Sequence, residues 1–231
     1  PSGEVVLVAV AGPLDAKYPS CVCEDGRTTA GCGCGAIPGN ECHPQVPTLM
    51  YADAPTGPWT TRPLFPDATH GENPSVWIAS NGSAFGMSRG GALSAFAVDW
   101  RNASAWVHSV AGATGLPTKP DVEDPFIYQD GEDRFHALLH NLEGPHMGAD
   151  PMLVGVHAFS EDGLNWHFGG LAYTNVVPCA DETSLVLNRR ERPHLAFAEG
   201  DATRRPVALV TSAEVGGAFG DRSFTLVQEL A

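Results

Sequence analysis

The chain has 231 residues, of which 27 are acidic and 13 are basic, and its formal net charge at pH 7 is −14. A charge of this sign disfavours nucleic acids and anionic membranes as partners. Charged residues make up only 17% of the sequence, and its 26 Gly and 19 Pro are typical of a turn-rich all-β protein rather than a disordered one. One domain is expected, because all-β domains often reach this length.

The first predicted strand is the apolar segment at residues 4–11, Glu-Val-Val-Leu-Val-Ala-Val-Ala. No run of 18 or more apolar residues occurs, so the sequence predicts no transmembrane helix. No signal peptide is visible, and we expect such a segment to lie upstream and to be removed.

Five of the six cysteines lie in a glycine-rich segment just after this strand. Cys-X-Cys pairs near His43 resemble zinc ligands, whereas disulfides would staple an insertion that has no core of its own. We favour disulfides, because the number of cysteines is even and the distant sixth one can pair into the loop. The six are Cys21, Cys23, Cys32, Cys34, Cys42 and Cys179.

Two sequence phrases then alternate along the chain. In the first, a polar or charged residue and a proline precede a short apolar stretch and a glycine turn; it begins at residues 73, 124 and 192. The second ends in tryptophan, at residues 59, 106 and 166. Proline suits the first residue of a strand because it cannot donate to the ladder. The Asn-Gly, Asp-Gly and Glu-Gly pairs that follow are hairpin signals.

A repeated unit of about four short antiparallel strands over roughly 50 residues is the blade of a β-propeller. A β-sandwich ranks second, because it does not explain the alternation. We expect inner strands at residues 75–78, 126–128 and 194–197. The single domain, residues 1–231, divides into a partial first blade at 1–65 that lacks its innermost strand, with the cysteine-rich insertion at 20–43, and blades at 72–107, 122–168 and 184–231.

Asn81 and Asn102 each begin an Asn-X-Ser glycosylation sequence. Together with the predicted disulfides, they favour a secreted or extracellular glycoprotein.

Residues 123–131, Glu-Asp-Pro-Phe-Ile-Tyr-Gln-Asp-Gly, and residues 191–195, Glu-Arg-Pro-His-Leu, resemble segments of the five-bladed propeller glycosidases of glycoside hydrolase family 43 and its relatives. Residues 52–59 are similar to an outer strand in the same group, and the pattern covers most of residues 49–230. The resemblance implies a five-bladed type of propeller, of which about three and a half to four blades lie in this chain. It implies a carbohydrate ligand and no cofactor, and it leaves room for a structural calcium ion near the axis.

Glycoside cleavage needs one carboxyl group to protonate the leaving oxygen and a second to activate water or attack carbon. In this family, which inverts, the resemblance makes Glu191 the general acid and Asp124 the carboxylate that tunes and orients it. Each has a simpler interpretation, because Asp124 could cap a strand and Glu191 could belong to a solvated charge cluster. The predicted sugar-binding residues are His136, His140, Arg190, Arg192, Asn73 and Arg89.

His136 and His140 are four residues apart in a strand-like segment and therefore point to one face, where either core packing or ligand binding would suit them. Glu143 stands in a Glu-Gly-Pro phrase that also resembles the family's glutamate segment. It is too close to Asp124 in the sequence to begin the next blade, so we favour Glu191.

The family's catalytic base is an aspartate in the first blade, and the sequence shows no Asp-Pro phrase there. Asp15 follows the first strand instead of leading into it. Either the base lies on sequence outside this chain or catalysis has been lost. Residues 160–166 approach the Asp-box turn of sialidases, but they do so once, and no arginine triad accompanies them.

Two functions therefore stay open. One is an inverting extracellular glycoside hydrolase that acts on plant, algal or microbial polysaccharide. The other is a non-catalytic propeller that binds carbohydrate or assembles with other extracellular proteins.

Overall fold

The computed structural model describes residues 5–11, 46–64, 73–89, 94–109, 115–116, 122–142, 153–201, 203–215 and 223–230. No helix among them has the length and hydropathy needed to cross a membrane. Apart from 3-10 structure at Ala103–Ala105 and at Arg89, the regular structure in these ranges is strand. The strands are β1 (Val5–Ala11), β2 (Val46–Ala52), β3 (Thr60–Pro63), β4 (Ser75–Ile78), β5 (Ala84–Met87), β6 (Ser94–Ala97), β7 (Trp106–Ser109), β8 (Val122–Gln129), β9 (Phe135–Asn141), β10 (Leu153–Ser160), β11 (His167–Thr174), β12 (Val176–Pro178), β13 (Ser184–Val186), β14 (Arg189–Phe197), β15 (Pro206–Glu214) and β16 (Ser223–Glu229).

The strands form antiparallel sheets in which chain neighbours pair. The orders are β1-β2-β3, β4-β5-β6-β7, β8-β9-β10-β11 and β14-β15-β16, with β12 and β13 as a separate hairpin. Strand β8, which opens its sheet, contacts both β4 and β14, the first strands of the sheets on either side of it in the chain. First strands that gather in this way are the inner strands of radial blades. The predicted all-β propeller is confirmed.

The residues expected to form inner strands do lie in these first strands. Strand β4 is Ser75–Ile78, residues 126–128 lie in β8, and residues 194–197 lie in β14. The turn after β4 shows why glycine follows: Gly82 has a φ of 87°, a conformation that other residues rarely adopt. The glycine phrase therefore ends each inner strand in a hairpin, as the sequence indicated.

The last part of the chain is arranged differently from the predicted blade at residues 184–231. Strand β13 pairs with β12 and does not join β14-β15-β16. A tight turn favours this pairing, because the backbone N–H of Cys179 donates to the Thr183 carbonyl at 2.9 Å. The Thr183 hydroxyl and N–H also donate to the Asp181 carboxylate. Likewise, β11 continues to Thr174, beyond the predicted end of the third blade at residue 168.

Apolar clusters lie between successive sheets. Leu49 and Trp100 belong to the cluster shared by the first two sheets, and Phe85 and Ile127 to the next. Leu138 and Leu209 pack between β8-β9-β10-β11 and β14-β15-β16. Each sheet is therefore held to the next by burial of its apolar face, which is the main stabilising contribution available to such a fold.

Candidate functional site

Three residues that precede an inner-strand proline share one unusual backbone conformation. Asn73, Asp124 and Arg192 have φ angles of 50°, 49° and 55°. This left-handed region is uncommon for residues other than glycine, and strained residues of this kind cluster at functional sites. The same position in three successive blades thus presents an amide, a carboxylate and a guanidinium.

The strain coincides with a break in the strand pairing. The register between β8 and β9 shifts between Glu123 and Phe126. Neighbouring side chains in a regular strand point to opposite faces, and a bulge interrupts that alternation. As a result, the Nδ2 amide of Asn73 donates to Asp124 Oδ1 at 2.6 Å and to Glu123 Oε2 at 3.4 Å. Two consecutive carboxylates therefore face the same donor.

Glu123 lies at the centre of the polar contacts. His140 Nδ1 is 3.3 Å from its Oε1, and Arg89 Nη1 is 3.6 Å from its Oε2. The hydrogen bond with His140 is the main cause of a lowered pKa for Glu123, and the charges of Arg89 and Arg192 add to it against the opposing effect of burial. Glu123 is therefore held in its ionised form.

Asp124 is shifted in the opposite direction. Burial raises its pKa, and the neighbouring charge of Glu123 raises it further, with a smaller contribution from Glu191. His140 and Arg192 oppose the rise. Two adjacent carboxyl groups whose pKa values are pushed apart are the arrangement from which acid and base roles are built.

Glu191, the predicted general acid, lies near this pair but is engaged by a cation. Its Oε1 is 2.5 Å from Arg189 Nη2, and its side chain is only 17% exposed. Its charge still acts on Asp124. The structure thus brings Glu191 within electrostatic range of Asp124, and a ligand oxygen that reached Glu191 would compete with Arg189.

Four of the predicted sugar-binding residues surround the carboxylates. Asn73, His140 and Arg89 contact Glu123 directly, and the charge of the exposed Arg192 acts on both Glu123 and Asp124. Of these four, His140 is the most buried, at 5% exposure.

His136 lies elsewhere. It shares a face of β9 with His140, but it lies at the end of the strand nearer the β8–β9 hairpin. Its Nε2 is 3.1 Å from Asp130 Oδ2, its Nδ1 is 2.9 Å from His157 Nε2, and its ring stacks on Tyr128. The structure therefore gives His136 partners at the opposite end of the inner strand from Asp124.

Arg190 also lies apart from the carboxylates, and its guanidinium is engaged in hydrogen bonds inside the fold. It is 2% exposed, because alternation along β14 turns it away from the face that carries Glu191. Its guanidinium donates to the Thr174 carbonyl at 2.9 Å, Gln228 Oε1 at 2.8 Å and Thr211 Oγ1 at 3.2 Å. These contacts join β14 to β11, β15 and β16.

Glu123, Asp124 and His140 each offer a ligand atom, and these atoms lie within 4.8 Å of one another. Two carboxylates and one imidazole suit a transition metal better than calcium, which takes about six to eight oxygen ligands. A calcium ion here would need most of its ligands from water or from a bound sugar.

Sequence reasoning did not identify Glu123 as a site residue. It stood directly before Asp124 in the phrase that predicted the site, but strand alternation would have placed it on the other face. Strand β8 begins at Val122, ahead of the Asp-Pro pair that was predicted to precede the strand, and a proline inside a strand forces a bulge or an edge. The signal that could have found Glu123 is therefore the apolar Val122 ahead of that pair.

The predicted disulfides and glycosylation positions have separate outcomes. Cys179 is an exposed free thiol in the turn between β12 and β13, so no disulfide is found there; the other five cysteines lie outside the described residues. Asn81 and Asn102 are exposed, and each accepts a hydrogen bond from the backbone two residues on.

No protein-family model and no curated protein sequence matches the chain. Solved structures do. The family 43 protein BlXynB of Bacillus licheniformis is 14% identical with a TM-score of 0.53, over 98% of this chain and 38% of that one. A family 43 arabinoxylan arabinofuranohydrolase of Bacillus subtilis, solved with cellotetraose, is 12% identical with a TM-score of 0.52, over 98% of this chain and 50% of that one.

The chain therefore has the propeller fold of family 43 glycosidases and spans half or less of the length of these two proteins. At such low identity, the likeness concerns the fold, and function has to be argued from the site.

Proposed function

We propose that this chain is part of a glycoside hydrolase that binds polysaccharide at the Glu123–Asp124 site and cleaves a glycosidic bond by carboxylate chemistry. The observation that carries the proposal is the pair of adjacent carboxyl groups with pKa values shifted in opposite directions, beside a third carboxylate, Glu191. The fold of family 43 glycosidases supports it, as does the cellotetraose bound by one of the similar proteins.

The resemblance assigns two of the roles and the structure suggests a third. Glu191 is assigned as the acid that protonates the leaving oxygen, and Asp124 as the neighbouring carboxyl group that orients it. Glu123 is held ionised by His140 and Arg89 and so has the protonation state of a base. That is the role for which the sequence offered no candidate.

The surrounding donors suit a sugar. Arg192 is exposed, and the side chain of Arg89 is 36% exposed, so both guanidinium groups can donate to hydroxyl oxygens. Asn73, already bonded to Asp124, fixes the carboxylate that the sugar would meet.

The test is a panel of plant, algal and microbial polysaccharides assayed for reducing-sugar release and, separately, for binding by affinity electrophoresis. With an active substrate, Glu191→Gln should lower turnover by about 10²- to 10⁴-fold while binding is retained. Glu199→Gln, an exposed glutamate in the hairpin turn of the same sheet, is the matched control and should behave as wild type. Equal activity of the two variants would remove Glu191 from the mechanism.

The second candidate is a non-catalytic carbohydrate-binding propeller. The ion pair between Glu191 and Arg189 favours it, because an acid committed to an arginine has to be released before it can reach a leaving group. Binding without sugar release, lost in Arg192→Ala and unchanged in Glu191→Gln, would select this function.

The proposed setting is extracellular, with glycans on Asn81 and Asn102 and oxidised cysteines in the segment at residues 21–42. The exposure of both asparagines supports it. Expression in a eukaryotic secretory host should give a protein whose mass falls on treatment with a glycosidase specific for N-glycans. An unchanged mass would contradict the glycosylation.

A further inference from the structure

Two histidines of the third blade contact each other directly, at the hairpin end of the sheet. The Nδ1 of His136, on β9, lies 2.9 Å from the Nε2 of His157, on β10. The ring planes are 16° apart and the ring centres are 5.2 Å apart. The two nitrogens are closer than the centres by about one ring diameter, so they lie between the rings and nearly in the plane of both. The contact is therefore an in-plane hydrogen bond and not a stack of ring faces.

The Asp130 carboxylate determines which of these nitrogens carries hydrogen. Its Oδ2 is 3.1 Å from the Nε2 of His136. Although burial opposes it, hydrogen bonds with His136 and Arg134 hold the pKa of Asp130 well below its usual range, so this group is an acceptor at neutral pH. The hydrogen of neutral His136 is then on Nε2, and its Nδ1 accepts from the Nε2–H of His157. The hydrogen bonds run from His157 to His136 to Asp130, and the Nδ1 of His157 carries no hydrogen.

A glycine on the neighbouring strand makes room for this arrangement. A Cβ on Gly169, in β11, would lie 2.4 Å from the Nδ1 of His157, which is closer than Cβ atoms approach other atoms in proteins. A side chain at this position would push the His157 ring out of the plane that it shares with His136. The absence of a side chain thus keeps the rings aligned and leaves the far nitrogen of His157 able to take a hydrogen.

The pair can bind one proton and keep its hydrogen bond, but it cannot bind two. When a proton enters at the Nδ1 of His157, the bridging hydrogen can move to the Nδ1 of His136. The positive charge then lies beside the Asp130 carboxylate, and the bond persists with its direction reversed. A second proton would leave a hydrogen on both facing nitrogens, 2.9 Å apart, and two cations side by side. Burial and the neighbouring His136 lower the pKa of His157, which likewise favours the charge on His136.

We propose that His136 and His157 form a one-proton switch, in which the hydrogen bond between the two rings reverses its direction between neutral and acidic pH and stays intact. In the neutral form, the Nδ1 of His157 offers a lone pair beside the outer strand β11. In the acidic form the same nitrogen is a donor. The pair thus carries a change of pH from the Asp130 turn to the outer part of the blade, independently of the function proposed for the Glu123–Asp124 site.

The other charged and titratable groups around the pair stay unchanged in the test. Arg204, in the turn that precedes β15, joins the next blade to this place, because its Nη1 donates to the Asp130 carbonyl at 3.2 Å. The groups are Asp130, Glu132, Asp133 and Arg134 in the β8–β9 turn, Tyr128 on β8, His167 on β11 and Arg204.

The test is NMR of protein labelled with ¹⁵N in its histidines, with the two rings assigned by the signals lost in His136→Gln and His157→Gln. At about pH 8, both neutral rings should carry their hydrogen on Nε2. Between about pH 8 and pH 5.5, where ordinary histidines titrate, the two rings together should gain one proton in a shared step. The ¹⁵N–¹⁵N coupling across their hydrogen bond should persist throughout.

Three results would overturn the proposal. The first is a gain of two protons, or of none, by the pair over this range. The second is a hydrogen on the Nδ1 of neutral His136. The third is a coupling between the facing nitrogens that disappears as the first proton binds.

A glycine variant separates the switch from the histidines themselves. Gly169→Ala changes no titratable group, but it should force the rings apart, so that each binds a whole proton in its own step and the coupling is lost. Gly86→Ala, on β5, is the matched control, because a Cβ there would have no neighbour closer than 3.6 Å, and it should titrate as wild type. A Gly169→Ala protein that titrates as wild type would contradict the proposal. If circular dichroism shows that Gly169→Ala does not fold, the wild-type titration and coupling decide.

Discussion

Asp124 and Asp130 lie near opposite ends of β8, and their surroundings differ. Asp130 accepts from the backbone N–H groups of Glu132 and Arg134 at 2.9 and 3.0 Å, from the Arg134 side chain at 2.7 Å, and lies 3.1 Å from His136. Although burial opposes it, these bonds leave the pKa of Asp130 well below its usual range. Asp124 has one described donor, a neighbouring carboxylate and a raised pKa.

The difference separates structure from chemistry. A carboxylate whose lone pairs are all used stabilises a turn and has nothing left for a ligand. A carboxylate with one donor, buried beside another acid, costs stability and retains the capacity to change protonation state. By this criterion the two ends of one strand have different purposes.

The largest expected effect on stability comes from Asp130→Asn. Losing a charged acceptor with several donors should lower the free energy of unfolding at pH 7 by about 1–3 kcal/mol, measured by urea denaturation. Since the folded pKa is lowered, this stabilisation is complete above the unfolded value of about 3.9 and is lost as the pH falls through the lower folded value. The difference in the free energy of unfolding between wild type and Asp130→Asn should therefore disappear at low pH. A difference that persists at low pH would mean that the conformation of the turn, and not the charge of Asp130, is the source of the stabilisation.

Asp124→Asn should have the opposite and smaller effect. A raised folded pKa means that the charge destabilises the folded chain, with the penalty absent below the unfolded value of about 3.9 and growing as the pH rises through the folded value. A neutral amide, which still accepts from Asn73, should raise the free energy of unfolding at pH 7 by up to about 1 kcal/mol. Urea denaturation at pH 4 and pH 7 gives the sign of the change in the free energy of unfolding. A variant less stable than wild type at pH 7 would contradict the contrast drawn between Asp124 and Asp130.

The smallest effect is expected at Asp201, which caps the hairpin turn of the next blade. Its carboxylate is partly exposed and accepts from the N–H and hydroxyl of Thr203. Asp201→Asn should leave the urea midpoint unchanged within error, because the amide oxygen of asparagine can still accept from Thr203. A shift as large as that of Asp130→Asn would show that the turn type alone sets the stability.

The sequence predicted the fold well because its signals are local. Proline at the start of an inner strand and glycine after it act on the residues beside them, so the positions of β4, β8 and β14 could be inferred without tertiary information. The pairing of β13 with β12 could not be inferred in this way. It depends on whether β13 pairs across the turn at residues 179–183 or joins the last sheet, which local signals do not decide.

The site was predicted only in outline. Asp124 was named because it precedes the proline of an inner strand, and His140 because its spacing from His136 places both on one face. Glu123 was missed because the bulge that turns it toward Asp124 is a departure from strand spacing. Arg190 has a partner in the adjoining blade, and His136 has one on the next strand of its own sheet, and no periodicity of a single segment encodes either contact.

The left-handed residues at positions 73, 124 and 192 also bear on how such proteins diversify. Each of these three blades places one side chain at the same position, and the scaffold already bears the cost of that backbone conformation. Replacing one of these side chains would alter the charge and reach of the site while the fold of the blade stays the same. A lineage could thus exchange one ligand for another through three codons.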